Sequence, residues 1–154
     1  MNGDLETDLE RMQLALQQAL DAAEAGEVPV GAVIFEGNRL VAKAHNQVET
    51  LKDPTAHAEI LAITQACADR GAKWLQGCTL YVTLEPCSMC AGAIQLGRFD
   101  RVVYAASDPK TGACGSRLDV LAPGLLNHDV RVTGGILAEP CGHLIRDFFR
   151  ARRG

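Results

Sequence analysis

Two short stretches restrict this chain more than anything else in it: Ala56-His57-Ala58-Glu59 and Pro86-Cys87-Ser88-Met89-Cys90. One imidazole and two thiols are metal donors, and a carboxyl group stands beside the imidazole without an evident structural duty. Zinc sites that only hold a fold close with four protein ligands, whereas catalytic ones keep three and leave the fourth place to water. The chain must therefore fold so that His57 meets Cys87 and Cys90 with Glu59 close by.

The spacings say how. Cys87 and Cys90 are three apart and share one face of a helix, so they can grip one ion. Pro86 suits a helix start, where its missing N–H costs little, and a thiol there feels the positive end of the helix dipole. That field favours the thiolate that a metal needs. His57 and Glu59 are two apart, which on a helix flank points them nearly opposite ways, so they share a site only off an N-terminus. Asp53-Pro54-Thr55 offer N-cap and first-turn residues, which places His57 in the first turn. Two helix N-termini are expected to converge on the ion.

The remaining pattern supplies a frame for that convergence. Thr7 and Glu10 read as a capping box, and Leu9, Met12, Leu16 and Leu20 then recur at helical spacing up to Gly26. Val30 to Phe35 and Leu40 to Ala44 read as strands joined by the two-residue turn Gly37-Asn38. Residues 47–53 read as a loop, and the His57 helix runs to Arg70 with Gly71 closing it. Thr79 to Thr83 is a strand delivering Glu85 and Pro86, and the cysteine helix runs to Leu96-Gly97. Arg101 to Ala105 and Val130 to Thr133 are strands, with a loop through Lys110 between them, and a terminal helix starts at Ala138. A hairpin followed by alternating helix and strand predicts an α/β chain, its mixed sheet covered by helices on both faces. In that layout ligands bind at the carboxyl ends of strands, where both motifs lie.

With 154 residues the chain fits one domain, residues 1–154. Lacking an apolar run of the roughly 20 residues a membrane span needs, and with an acidic start unlike a signal peptide, it is expected in the cytoplasm, with no membrane partner. In that compartment Cys67, Cys78, Cys114 and Cys141 read as small buried hydrophobes and not as a disulfide framework. Net charge is −4, but its distribution is uneven: residues 1–27 hold seven acids against Arg11, and residues 146–153 hold four arginines against Asp147. Such a basic end can meet a phosphate backbone locally.

The H-x-E and P-C-x-x-C pattern is that of the zinc nucleobase deaminases, and the chain resembles the bacterial tRNA-specific adenosine deaminase family over nearly its whole length. The matching stretches are Glu27 to Val33, Asp53 to Glu59, Thr79 to Ala93, Lys110-Thr111-Gly112, Asn127-His128 and Asp147 to Arg153. The resemblance implies a three-layer α/β/α cytidine-deaminase-like fold with a mixed sheet of about five strands. It also implies one zinc ion per subunit held by His57, Cys87 and Cys90, with Glu59 shuttling protons as a zinc-activated water attacks adenine C6. The implied product is inosine at the wobble position of a tRNA anticodon loop, and the implied assembly is a homodimer. On the substrate side it implies Asn46 in the base pocket and backbone N–H support near Ala58 and Cys87. Asp108 and Asn127 are implied against flanking nucleotides, with Phe149 and Arg152 against RNA.

Two other readings use the same residues. A superfamily deaminase acting on a free base or nucleoside, such as guanine or cytosine, would keep this zinc chemistry unchanged. A non-catalytic RNA-binding subunit would keep zinc for structure alone, and Glu59 counts against it. His45, His128 and His143 lack ligand spacing and are not expected at the metal.

Overall fold

The computed structural model describes residues 2–153, with Asn2, Gly3 and Arg153 described by their backbone alone. The Arg153 side chain, expected as part of the basic end, thus lies outside the described atoms.

Among the described residues ten elements run in the order α1 (Asn2–Glu24), β1 (Gly31–Glu36), β2 (Arg39–His45), α2 (Val48–Leu51), α3 (Ala58–Arg70), β3 (Cys78–Leu84), α4 (Ser88–Leu96), β4 (Arg101–Ala106), β5 (Arg131–Thr133) and α5 (Ala138–Arg153). The sheet is mixed, in the order β2-β1-β3-β4-β5. β1 runs antiparallel to β2 and β3, while β3, β4 and β5 are parallel. The hairpin closes with Glu36 opposite Arg39, and Gly37 in the tip takes φ of 59°, a value a side chain would resist. A register shift between Ile34 and Phe35 gives β1 a bulge.

Strand alternation divides the core into two layers. Ala32, Ile34, Leu80, Val82 and Val102 pack with Ala58, Ala62 and Ala66 of α3 and Ala91 and Ile94 of α4. Val33, Phe35, Tyr81, Val103 and Ala105 face the other way, onto Met12 and Ala15 of α1 and Cys141 of α5. The expected helix–sheet–helix architecture is the observed one. Asp8 is buried between α1 and the sheet, where it accepts the Tyr81 hydroxyl at 2.8 Å and both ends of the Arg101 guanidinium at 2.9 and 2.7 Å.

Four local expectations change. α1 begins at Asn2, so Thr7 lies inside the helix and caps nothing; the chain before it is helical, and Asp8 locks that turn onto Arg101. The packed stripe of α1 is Met12, Ala15, Ala19 and Ala22, with Leu20 exposed. Gly31 explains this: a Cβ there would lie 2.1 Å from the Ala15 carbonyl oxygen and 2.5 Å from the Ala19 nitrogen. Helix backbone touches strand backbone at Ala15 and Ala19, where a larger side chain has no room, while Leu16 packs half-buried beside them as expected. Residues 48–51 form one helical turn instead of an open loop. Finally, His57 and Cys87 are themselves the N-cap residues of α3 and α4, one step outside the first turns expected for them. Asp53 bonds the Thr55 N–H and hydroxyl at 2.8 and 2.7 Å, folding its own turn and leaving the helix start to His57.

All six cysteines are free; Cys78, Cys114 and Cys141 are buried and Cys67 is half-buried.

Candidate metal centre and base pocket

Because β2 and β3 both run antiparallel to β1, the carboxyl ends of β2, β3 and β4 share one edge of the sheet. A cavity of about 250 Å³ opens there. Its wall takes Val28 and Val30 from the approach to β1, Asn46 after β2, Leu84 and Glu85 at the end of β3, and Asp108 and Thr111 after β4. His57, Ala58 and Glu59 enter at the start of α3, and Cys87 at the start of α4.

His57, Cys87 and Cys90 bring their donor atoms within 4.8 Å of one another. Nδ1 of His57 lies 3.7 Å from Cys87 Sγ and 3.5 Å from Cys90 Sγ. Tetrahedral zinc with bonds of about 2.0–2.1 Å to nitrogen and 2.3 Å to sulfur requires an N···S edge of about 3.6 Å. The donor set and its spacing therefore fit a small tetrahedral cation. Among the described residues, no fourth His, Cys or acidic side chain joins the group.

The electrostatics follow from burial and sharing. Cys87 is held down to about 4 by the hydrogen bond from Cys90, which outweighs burial and is helped by His57. The same bond, together with burial, pushes Cys90 up. The bond to Cys87 also raises His57. An entering cation must displace these protons. Glu59 is buried, and burial pushes its carboxyl up to about 7 against the pull of its own backbone N–H.

Two further carboxyl groups in the wall serve loops, and neither stood out in the sequence as a site. Glu85 accepts the N–H groups of Asp108, Cys114 and Ser116 at 3.0, 2.9 and 3.0 Å, and the Ser116 hydroxyl as well. Burial raises it, but these bonds outweigh burial and hold it below the ordinary value. Gly112 lies flush on this group. Glu27 similarly accepts the N–H groups of Glu49 and Thr50 at 3.0 and 2.6 Å and the Thr50 hydroxyl. The available signal was an acid set among strand residues, in Glu27-Val28-Pro29-Val30 and Leu84-Glu85-Pro86.

A family model described as MafB19-like deaminase matches residues 6–153. The tRNA-specific adenosine deaminase of Bacillus subtilis (strain 168) is 46% identical over 142 residues, 92% of this chain and 88% of that protein. The chain belongs to the tRNA-specific adenosine deaminase family. A solved structure from work on A-to-I editing by tRNA:A34 deaminases superposes with a TM-score of 0.84 at 41% identity, over 88% of this chain and 98% of that one. The guanine deaminase from Nitrosomonas europaea superposes with a TM-score of 0.80 at 27% identity, over 91% and 83%.

Within this deaminase family frame, the remaining candidate residues divide by position. Asn46 and Asp108 line the cavity, and both also make local bonds. Asn46 donates to the Val28 carbonyl at 3.3 Å and accepts the Val48 N–H at 3.3 Å. Asp108 accepts the Lys110 and Thr111 N–H groups at 3.0 and 3.1 Å and the Thr111 hydroxyl at 2.7 Å. Asn127 is exposed and stands outside the cavity wall. Phe149 is 40% exposed, its ring edge-on to Phe148 with centroids 5.5 Å apart. Arg152 lies over the Phe148 ring at 4.3 Å and donates to the Gly26 carbonyl at 3.2 Å. His45 bonds the Asn46 carbonyl and His128 the Phe99 carbonyl, so both are engaged away from the donor cluster. Among the described residues, no helix is long and apolar enough to cross a membrane.

Proposed function

We propose that this protein converts adenosine to inosine at the wobble position of a tRNA anticodon loop, with the whole of residues 1–154 acting as one deaminase domain. The observation that carries the reading is a buried carboxyl group, Glu59, in the same cavity wall as a three-donor metal cluster. Family membership, and what the named relatives act on, support the substrate.

The cation we assign is zinc, held by His57, Cys87 and Cys90. When bound, zinc supplies the Lewis acidity that makes water a nucleophile near neutral pH. The protein's own part is to orient and to move protons. Glu59, raised to about 7, can take a proton from the attacking water and return it. It delivers that proton to adenine N1 as water oxygen bonds to C6, then helps protonate the leaving amine, so adenosine and water give inosine and ammonia. N–H groups at the starts of α3 and α4, near Ala58 and Cys87, point toward charge developing at the base. Asn46 keeps one amide hydrogen and one lone pair beyond its local bonds, and we assign these to the base edge. Asp108 and Asn127 are assigned to flanking nucleotides, and Phe149 and Arg152 to the RNA backbone and stacking at the basic end. An anticodon loop suits such a site because its bases are already unpaired and can be splayed into a pocket. We assign a cytoplasmic homodimer.

The test is mass-spectrometric detection of inosine in tRNA incubated with zinc-loaded protein, beside ammonia release from free adenosine, cytidine and guanine. Inosine at the wobble position supports the reading. Turnover confined to free guanine, the substrate class of the Nitrosomonas structural neighbour, would replace it.

A further inference from the structure

Glu27 is a carboxylate with no role in the chemistry, yet it is 1% exposed and stands in the cavity wall. No Lys or Arg bonds to it among the described residues; its partners are two backbone N–H groups and one hydroxyl, all from Glu49 and Thr50 of α2. A four-residue helix has too few internal bonds to hold its own shape, and α2 has no side-chain cap. Its second and third N–H groups, those of Glu49 and Thr50, are taken by Glu27 instead. One residue on, the Val28 carbonyl accepts the Asn46 amide, and Asn46 in turn accepts the Val48 N–H at the start of α2. With the Val30 carbonyl accepting the Asn46 N–H at 3.0 Å, the segment before β1 grips the 46–50 segment at three points.

We infer that Glu27 is a positioning residue for substrate recognition: it fixes the α2 turn as the rim of the pocket and, through Val48, sets which edge of Asn46 meets the base. The inference rests on the RNA deamination reading. Burial is costly for a carboxylate unless hydrogen bonds replace its water; His45 adds a favourable charge nearby, but every hydrogen bond to Glu27 comes from the rim. The rim is correspondingly dependent on Glu27. Neither His57, Glu59 nor the two cysteines bonds to Glu27, so the reacting groups stay in place when it is altered.

The test pairs a buried change with an exposed one. In Glu27→Gln the single remaining oxygen can serve Thr50, but an NH₂ group then faces the Glu49 N–H. Thr50→Val removes the hydroxyl from an exposed residue at nearly constant shape, and Thr50→Ser restores it. Each zinc-loaded variant is titrated by fluorescence anisotropy against an anticodon stem-loop RNA carrying adenosine at the wobble position. Zinc stoichiometry, KM and kcat are measured alongside. We expect Kd and KM to rise about tenfold in Glu27→Gln and about threefold in Thr50→Val, with kcat within about twofold, zinc retained, and Thr50→Ser like wild type. The double variant should be weaker than Glu27→Gln by no more than the threefold of Thr50→Val alone. Unchanged Kd in both variants, a loss confined to kcat, or Thr50→Ser as weak as Thr50→Val would overturn the inference. Wild-type protein that binds the RNA without forming inosine would defeat the proposed reaction and leave the Kd series to judge Glu27. Wild-type protein that does not bind it would defeat both.

Discussion

Gly112→Ala should separate the loop after β4 from the pocket it walls. A Cβ at Gly112 would lie 2.4 Å from Glu85 Cδ, 2.5 Å from Glu85 Oε1 and 2.5 Å from the Asp108 carbonyl oxygen. Contacts under about 3 Å do not persist, so the loop must move by roughly 0.5–1 Å or Glu85 must turn away. Both movements are resisted. The Asp108 oxygen accepts the Gly112 N–H at 2.9 Å, and Glu85 is tethered by Asp108, Cys114 and Ser116. Overpacking costs about 1–3 kcal/mol and each stranded buried N–H a further 1–3, which together set a loss of about 3 kcal/mol in unfolding free energy. Urea unfolding of zinc-loaded protein measures it as a fall in midpoint at unchanged slope. Because Asp108 and Thr111 ride on the same loop, a displacement approaching 1 Å should also lower kcat/KM on a stem-loop RNA by up to about a hundredfold. A variant within 0.5 kcal/mol of wild type (about the scatter of a surface change) and equally active would refute the reasoning.

Glu59→Ala should retain zinc and RNA binding while turnover falls at least about a hundredfold; surviving turnover would remove Glu59 from the proton path. Asp8→Ala should cost about 3 kcal/mol in chemical denaturation, because it strands the Tyr81 hydroxyl and leaves the Arg101 guanidinium with Thr133 alone, and a neutral result would show that water reaches them. Glu27 and Glu85 sit below the ordinary Glu value of 4.5 in the folded chain, so their contribution to stability is complete above that pH and is lost as pH falls through their folded values. Unfolding followed by circular dichroism should therefore show stability falling below about pH 4.5, with a shallower fall in Glu27→Gln; stability that rises as pH falls below that value would contradict the sign.

What the chain alone determined was local or covalent. The Gly37-Asn38 turn, the α3 stop at Gly71, and the alternation of β1, β3 and β4 are written in a few neighbouring residues each, and their physics is complete at that range. The metal donors were legible for the same reason: His and Cys at such spacings have few other uses near a helix start. Tertiary structure decided whatever depends on a partner far along the chain. α1 shows alanines to the sheet because Gly31 brings a strand against its backbone, and no periodicity within α1 announces that approach. His57 became an N-cap because the Asp53 carboxylate is engaged by Thr55. Glu27 and Glu85 read as ordinary acids until the fold sets the donors of residues 49–50 and 108–116 around them. A hydrogen bond is specified by where two groups meet in space, and only the assembled sheet edge brings these together.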